Sequence, residues 1–215
     1  MKIHEIISES RQRPTVKLTE GARIAHAEDL IFFEGSAGAL RAIENMTALA
    51  KNRDTLSIKW DGRPAIVFGR GEDGKFILTD KAGFGAKGYN GLYTSPKEFV
   101  AQKRSKGGDE SYLAKFVSIW PIVEAATPPN YRGFVLGDMM WFPGELQDNG
   151  KRYVFTPNTV TYEVDKNSDL GHRVGQGKAG LAVHSFYPSH GAEGQALKST
   201  AGLNVNSELC ILGPE

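Results

Sequence analysis

Hydrophobic and polar positions alternate with two different periods along this chain, and the change between them marks its organisation. From Ser36 to Lys51 the apolar residues Leu40, Ile43, Met46 and Leu49 recur at the three-residue spacing that keeps side chains on one stripe of a helix. That stripe predicts a helix packed on a sheet. From Leu56 the helical period gives way to short apolar runs over 56–60, 65–69 and 75–79, divided by Asp61-Gly62-Arg63-Pro64 and Gly71-Glu72-Asp73-Gly74. Runs of this length between turn-forming residues predict consecutive antiparallel strands. The stretch from Lys81 to Gly91 carries too many glycines for a helix interior and reads as a loop. Helical spacing returns over 96–104 and 109–125, where Pro121 is expected to kink or end the second helix. Strands are predicted again at 133–141, 152–156, 160–164 and 181–186, and the last thirty residues are turn-rich without clear periodicity.

Strands in runs, with helices inserted between them, predict an α+β fold with a mainly antiparallel sheet and flanking helices. The expected organisation is one domain over 1–215: a helical segment over 1–53, a sheet core over 54–187 and an irregular segment over 188–215. A chain of 215 residues is long enough to bury a core of its own. Hydrophobic residues at 40% and charged residues at 24% sit at the globular average, so neither disorder nor a fibrous architecture is expected.

A net charge of +1 excludes the strong overall positive field of a protein that coats nucleic acid, so any such contact has to be local. The single cysteine, Cys210, excludes an internal disulfide and a cysteine-rich zinc site. With no apolar run of bilayer length and no hydrophobic leader after Met1, the expected compartment is the cytoplasm.

The chemistry concentrates at Ser57-Ile58-Lys59-Trp60-Asp61-Gly62. A lysine becomes a nucleophile when its surroundings favour the neutral amine. Lys59 ends an apolar run beside Trp60, and the Asp61-Gly62 turn that follows is expected to present the amine at the mouth of a cleft. The bland reading is an exposed lysine before an Asp-Gly hairpin turn, and the pattern K-x-D-G arises by chance in roughly one chain in twenty of this length.

Lys59-Trp60-Asp61-Gly62 resembles the first signature of the covalent nucleotidyltransferases, the superfamily of polynucleotide ligases and mRNA capping enzymes. Thr79-Asp80-Lys81-Ala82-Gly83-Phe84 resembles the second and Phe134-Val135-Leu136-Gly137-Asp138 the third, with Asp138 in place of the usual glutamate. Tyr162-Glu163-Val164 is similar to the aromatic-acidic strand whose ring stacks on the base, a role Tyr153 or Phe155 would also serve.

The resemblance implies an ATP-grasp-like nucleotidyltransferase domain with ATP and Mg²⁺ as cofactors and RNA or nicked DNA as acceptor. It implies Lys59 as the catalytic residue and nucleotide contacts from Ser57, Ile58, Asp61, Gly62, Arg63, Lys81, Asp138, Tyr162 and Lys178, with Asp138 also oriented to metal. Three departures stand out. Arg63 follows Gly62 directly, with Pro64 where the family often has arginine; Lys178-Ala179-Gly180-Leu181 has no acid where the fourth signature carries one; and Leu197-Lys198-Ser199 is a sparse match to the fifth. These departures keep a second class open, a nucleotide- or nucleic-acid-binding protein that retains the fold without turnover.

The chain also resembles uncharacterised proteins of tailed phages through residues 28–35, 59–69, 81–89 and 155–159. Gly83-Phe84-Gly85-Ala86-Lys87-Gly88 matches the dinucleotide-binding glycine pattern, yet turn-forming residues follow where a helix should open. None of the five histidines has metal-ligand spacing, and His184 reads as an ordinary strand histidine. The basic residues Lys97, Lys103, Arg104 and Lys106 read as a solvated helix face.

Overall fold

The computed structural model describes residues 29–51, 60–85, 93–197, 199–200, 202–205 and 208–213. The chain groups into two compact units, Met1–Ser57 and Ile58–Glu215. Within the first, α1 (Asp29–Lys51) is interrupted at Gly35, whose φ of 60° and ψ of −137° suit glycine and few other residues. The helix therefore starts earlier than the expected Ser36 and bends there. Its stripe residues Leu40, Ile43, Met46 and Leu49 are exposed.

The second unit is α+β, built on a six-stranded sheet. Strands β1 (Ala65–Arg70) and β2 (Phe76–Asp80) form a hairpin. Strand β3 (Gly133–Trp141) pairs with β1 on one side and with β7 (Ala179–Tyr187) on the other, both antiparallel. Beyond β7 lie β8 (Gln195–Ala196), antiparallel, and β9 (Leu209–Leu212), the one parallel partner in this sheet. All nine residues of β3 are buried, as its near-continuous apolar run requires of a central strand.

Each face of this sheet is covered by a different layer. Ile66, Phe68, Leu78, Val135, Met139, Leu181 and Val183 meet α3 (Pro96–Ser105) and α4 (Glu110–Ala125) through Phe99, Phe116, Ile119 and Trp120. Pro121 sits on the exposed side of α4, and the helix runs through it to Ala125, held by five buried residues from Phe116 to Val123. On the opposite face, Met140, Trp141, Ala182, Cys210 and Leu212 pack against a small antiparallel sheet, β4 (Gln147–Asp148), β5 (Arg152–Phe155) and β6 (Tyr162–Asp165), and against α5 (Asp169–Gln176). Further along that face, Val67, Ile77, Phe134 and Leu136 bury Phe84.

Phe84 explains a departure from the expected loop. Residues Lys81–Phe84 form a short helix, α2, because Asp80 caps it by accepting the Gly83 N–H at 2.6 Å, while Phe84 packs on Phe134 and Tyr187. The cap and the buried ring outweigh the cost of glycine. Residues 86–92, the rest of that expected loop, lie outside the described residues. No described helix is long and apolar enough to cross a membrane.

Candidate functional site

The chain enters β1 by crossing the C-terminal half of β3. Arg63 donates its N–H to the Met139 carbonyl at 2.9 Å, and Met139 donates to the Pro64 carbonyl at 3.0 Å, so the β1–β3 ladder continues backwards past Ala65. The Arg63–Pro64 peptide is cis. At Gly62 the crossing is too close for any side chain: a Cβ there would lie 2.5 Å from the Met139 carbonyl oxygen and 3.0 Å from Asp138 Cβ. Glycine thus lets the chain at Gly62 lie directly against Asp138, so residues 76 positions apart become neighbours.

A clamp from the small sheet fixes the residues just before Gly62. The Tyr162 hydroxyl accepts the Asp61 N–H at 2.9 Å, and Asn158 Nδ2 donates to Asp61 Oδ2 at 3.0 Å. The Tyr162 ring lies between Trp60, with centroids 5.0 Å apart, and Phe155, at 5.5 Å and nearly parallel. Through its hydroxyl Tyr162 meets the motif as a holder of the turn. Phe155 is buried between Trp141 and Tyr162, and Tyr153 packs under Lys166. Removing the hydroxyl alone, in Tyr162→Phe, is expected to lower stability by about 1 kcal/mol in urea unfolding, because the Asp61 N–H loses its partner while the ring packing stays.

Asp138 is the polar interruption of an apolar face. It lies on the same side of β3 as Leu136 and Met140, is 8% exposed, and stands in register between Ala65 of β1 and Ala182 of β7. His184 Nε2 is 3.6 Å from Asp138 Oδ2, and His184 Nδ1 is 2.9 Å from Ser185 Oγ.

Two cavities open on either side of the crossing and share Arg63, Pro64 and Tyr112. The first, about 600 Å³, reaches Lys115, Glu145, Gln147 and Phe155. The second, about 590 Å³, is bordered by Ala65, Asp80, Lys81, Ala82 and Gly85. Among the described residues, the Arg63 and Lys81 side chains make no ion pair or hydrogen bond, so both cations border this space without a counter-charge from those residues.

The cavity wall is held by Asp80, which pairs with Lys103 and accepts from the Tyr112 hydroxyl at 3.3 Å. Burial, reinforced by the Asp80 carboxylate, raises the Tyr112 phenol well above its ordinary value. The unfolded chain ionises this phenol near pH 10, long before the folded protein does, so stability present below about pH 10 falls as pH rises beyond it. Alkaline unfolding curves of Tyr112→Phe are expected to lose part of that slope; the buried Tyr131 phenol, also raised, supplies another part.

Of the residues expected from sequence, Asp61, Gly62, Arg63, Asp138 and Tyr162 come together at the crossing, and Lys81 borders the second cavity. Lys178 does not join them. It stands just before β7, exposed, paired with Glu208 at 2.5 Å, and lines neither cavity. Ser57, Ile58 and Lys59 lie outside the described residues. Cys210 is buried, with its thiol pushed up to about 11 by burial, which suits packing and not reactivity. Sequence reading missed His184 and Asn158, whose places at the site depend on strand pairing and a loop contact that no local pattern announces.

Over residues 22–212 the chain matches the model of DUF6267, described as a family of unknown function, and it belongs to that family. No curated protein and no solved structure matches the chain.

Proposed function

We propose that the protein is a covalent nucleotidyltransferase in which Lys59 takes AMP from ATP, and that its domain is of the nucleotidyltransferase type found in polynucleotide ligases. The observation that supports this reading is the crossing at Gly62, where the last residue of the K-x-D-G pattern lies against Asp138, the acid of a second motif. The cations Arg63 and Lys81 beside the adjoining cavity, which have no ion-pair partner among the described residues, add to it, since a triphosphate carries the opposite charge. In this reading the neutral Lys59 amine, having released its proton, attacks the α-phosphorus. A nitrogen–phosphorus bond forms, the bond from the α-phosphorus to the bridging oxygen breaks, pyrophosphate leaves with the electron pair, and the proton lost from the attacking nitrogen passes to solvent. Lys81 and Arg63 neutralise phosphate charge, and Asp138 accepts from the ribose.

Among the described residues no three His, Cys, Asp or Glu side chains are grouped to hold a metal. In the proposed reading Mg²⁺ would be held through phosphate oxygens and water, with Asp138 as the protein carboxylate that would orient a coordinated water. Mg²⁺ would supply neutralisation of charge on the departing pyrophosphate. The proposed acceptor is a nucleic-acid end, RNA or nicked DNA.

The test is incubation with α-labelled ATP and Mg²⁺ followed by denaturing electrophoresis. Label is expected on the protein and is expected to be discharged by added pyrophosphate; absence of label with ATP and with GTP removes the reading. Sealing of nicked DNA or single-stranded RNA then identifies the acceptor. One observation favours the competing class, a binding protein without turnover: Lys178, expected at the phosphates, is paired with Glu208 instead. Nucleotide binding without label would support that class.

A further inference from the structure

A β-bulge brings a histidine to the site. Leu136 faces Ser185 across the β3–β7 ladder, yet the next residue, Gly137, faces Val183, so His184 is an extra residue in β7. Val183 and Phe186 both point to the α3–α4 layer, and the two residues between them turn together to the opposite face, where Asp138 lies. Bulges re-aim side chains in this way.

The histidine is itself held. Ser185 Oγ, 2.9 Å from Nδ1, fixes which way the ring turns, and Leu197 donates its N–H to the His184 carbonyl at 3.0 Å. With Nδ1 so engaged, Nε2 faces Asp138 Oδ2 at 3.6 Å, an ion-pair distance longer than a hydrogen bond.

We propose that His184 is a positioning residue: through Nε2 it sets the orientation of the Asp138 carboxylate toward the Gly62 crossing, and so sets the affinity for the nucleotide ribose. This rests on the reading of Lys59 as a nucleotidyl acceptor and deepens it. Asp138 holds the nucleotide equally before and during transfer, so losing its orientation raises KM and leaves kcat in place.

The experiment measures initial rates of self-labelling against ATP concentration. His184→Asn reproduces the Nδ1 side of the ring and not its reach to Asp138; its KM for ATP is expected to rise roughly tenfold with kcat unchanged. His184→Gln, whose amide nitrogen extends to the place of Nε2, is expected to recover to within about twofold of the wild-type KM. Asp138→Leu is expected to raise KM on its own, and adding His184→Asn to it to raise KM no further.

A merely structural histidine would give neither rescue by glutamine nor loss of effect in the Asp138→Leu background. A KM indifferent to His184→Asn, or effects of the two substitutions that multiply, would overturn the proposal and leave the lysine chemistry standing. A wild-type protein that takes no label from ATP or GTP would overturn both.

Discussion

Gly62→Ala is expected to lose about 2–3 kcal/mol of folding stability and, under the proposed chemistry, at least roughly a hundredfold in self-labelling. The new methyl would meet the Met139 carbonyl at 2.5 Å, Met140 Sδ at 2.8 Å and Asp138 Cβ at 3.0 Å. Two of these belong to the backbone or its first side-chain carbon in the central strand, which cannot swing aside. The crossing must lift instead. Lifting strains the Arg63-to-Met139 and Met139-to-Pro64 hydrogen bonds, and it moves the residues on both sides of Gly62 away from Asp138. Urea unfolding followed by circular dichroism reads the first loss and the initial labelling rate reads the second. An alanine variant with wild-type rate would mean that the contact with Asp138 has no part in the chemistry.

Phe116→Ala is expected to cost about 3–5 kcal/mol, a large share of the 5–15 kcal/mol typical of a single domain. Phe116 is fully buried, stacks on Phe99 with centroids 4.5 Å apart and planes 16° apart, and touches Tyr112 at 4.9 Å. Truncation removes the contact between α3 and α4 and leaves a hole that neither helix can fill without bending. The consequence reaches the site because Tyr112 borders both cavities and its hydroxyl binds Asp80. Urea unfolding should show a lowered midpoint with an unchanged slope, and Phe116→Leu should cost clearly less.

How much of this was legible in sequence varied with how local each determinant is. The hairpin β1–β2, the central strand β3 and helices α3 and α4 follow from apolar runs, turn residues and helical spacing, all short-range features, and the caps at Ser95 and Asp109 came to light with the structure. Helix α5 escaped notice because Gly171 and Gly175 hide it; its Ser168 cap and the burial of Val174 against the small sheet sustain it. Strand β9 sits in the turn-rich tail, and only its parallel pairing with β7 makes a strand of four residues there. The C-terminal segment thus completes the main sheet.

At the site, the acid at Asp138 and the glycine at Gly62 could be named from sequence, but the reason they matter is a contact across 76 positions of chain. Tyr162 could be named as an aromatic next to an acid, while its contacts with Trp60, Phe155 and the Asp61 N–H depend on packing that no local pattern announces. His184 carried no sequence signal because a bulge, a register event between two strands, is what turns it toward Asp138.

The most direct test of the account is the identity of the modified residue. Protein incubated with ATP and Mg²⁺ should yield, after a quench in alkaline urea with chelator and proteolysis at alkaline pH, a peptide bearing one AMP on Lys59 through an acid-labile and base-stable phosphoramidate, mapped by tandem mass spectrometry under mild conditions, and Lys59→Ala should yield none. AMP found on another residue, or label retained at the wild-type level in Lys59→Ala, would contradict it.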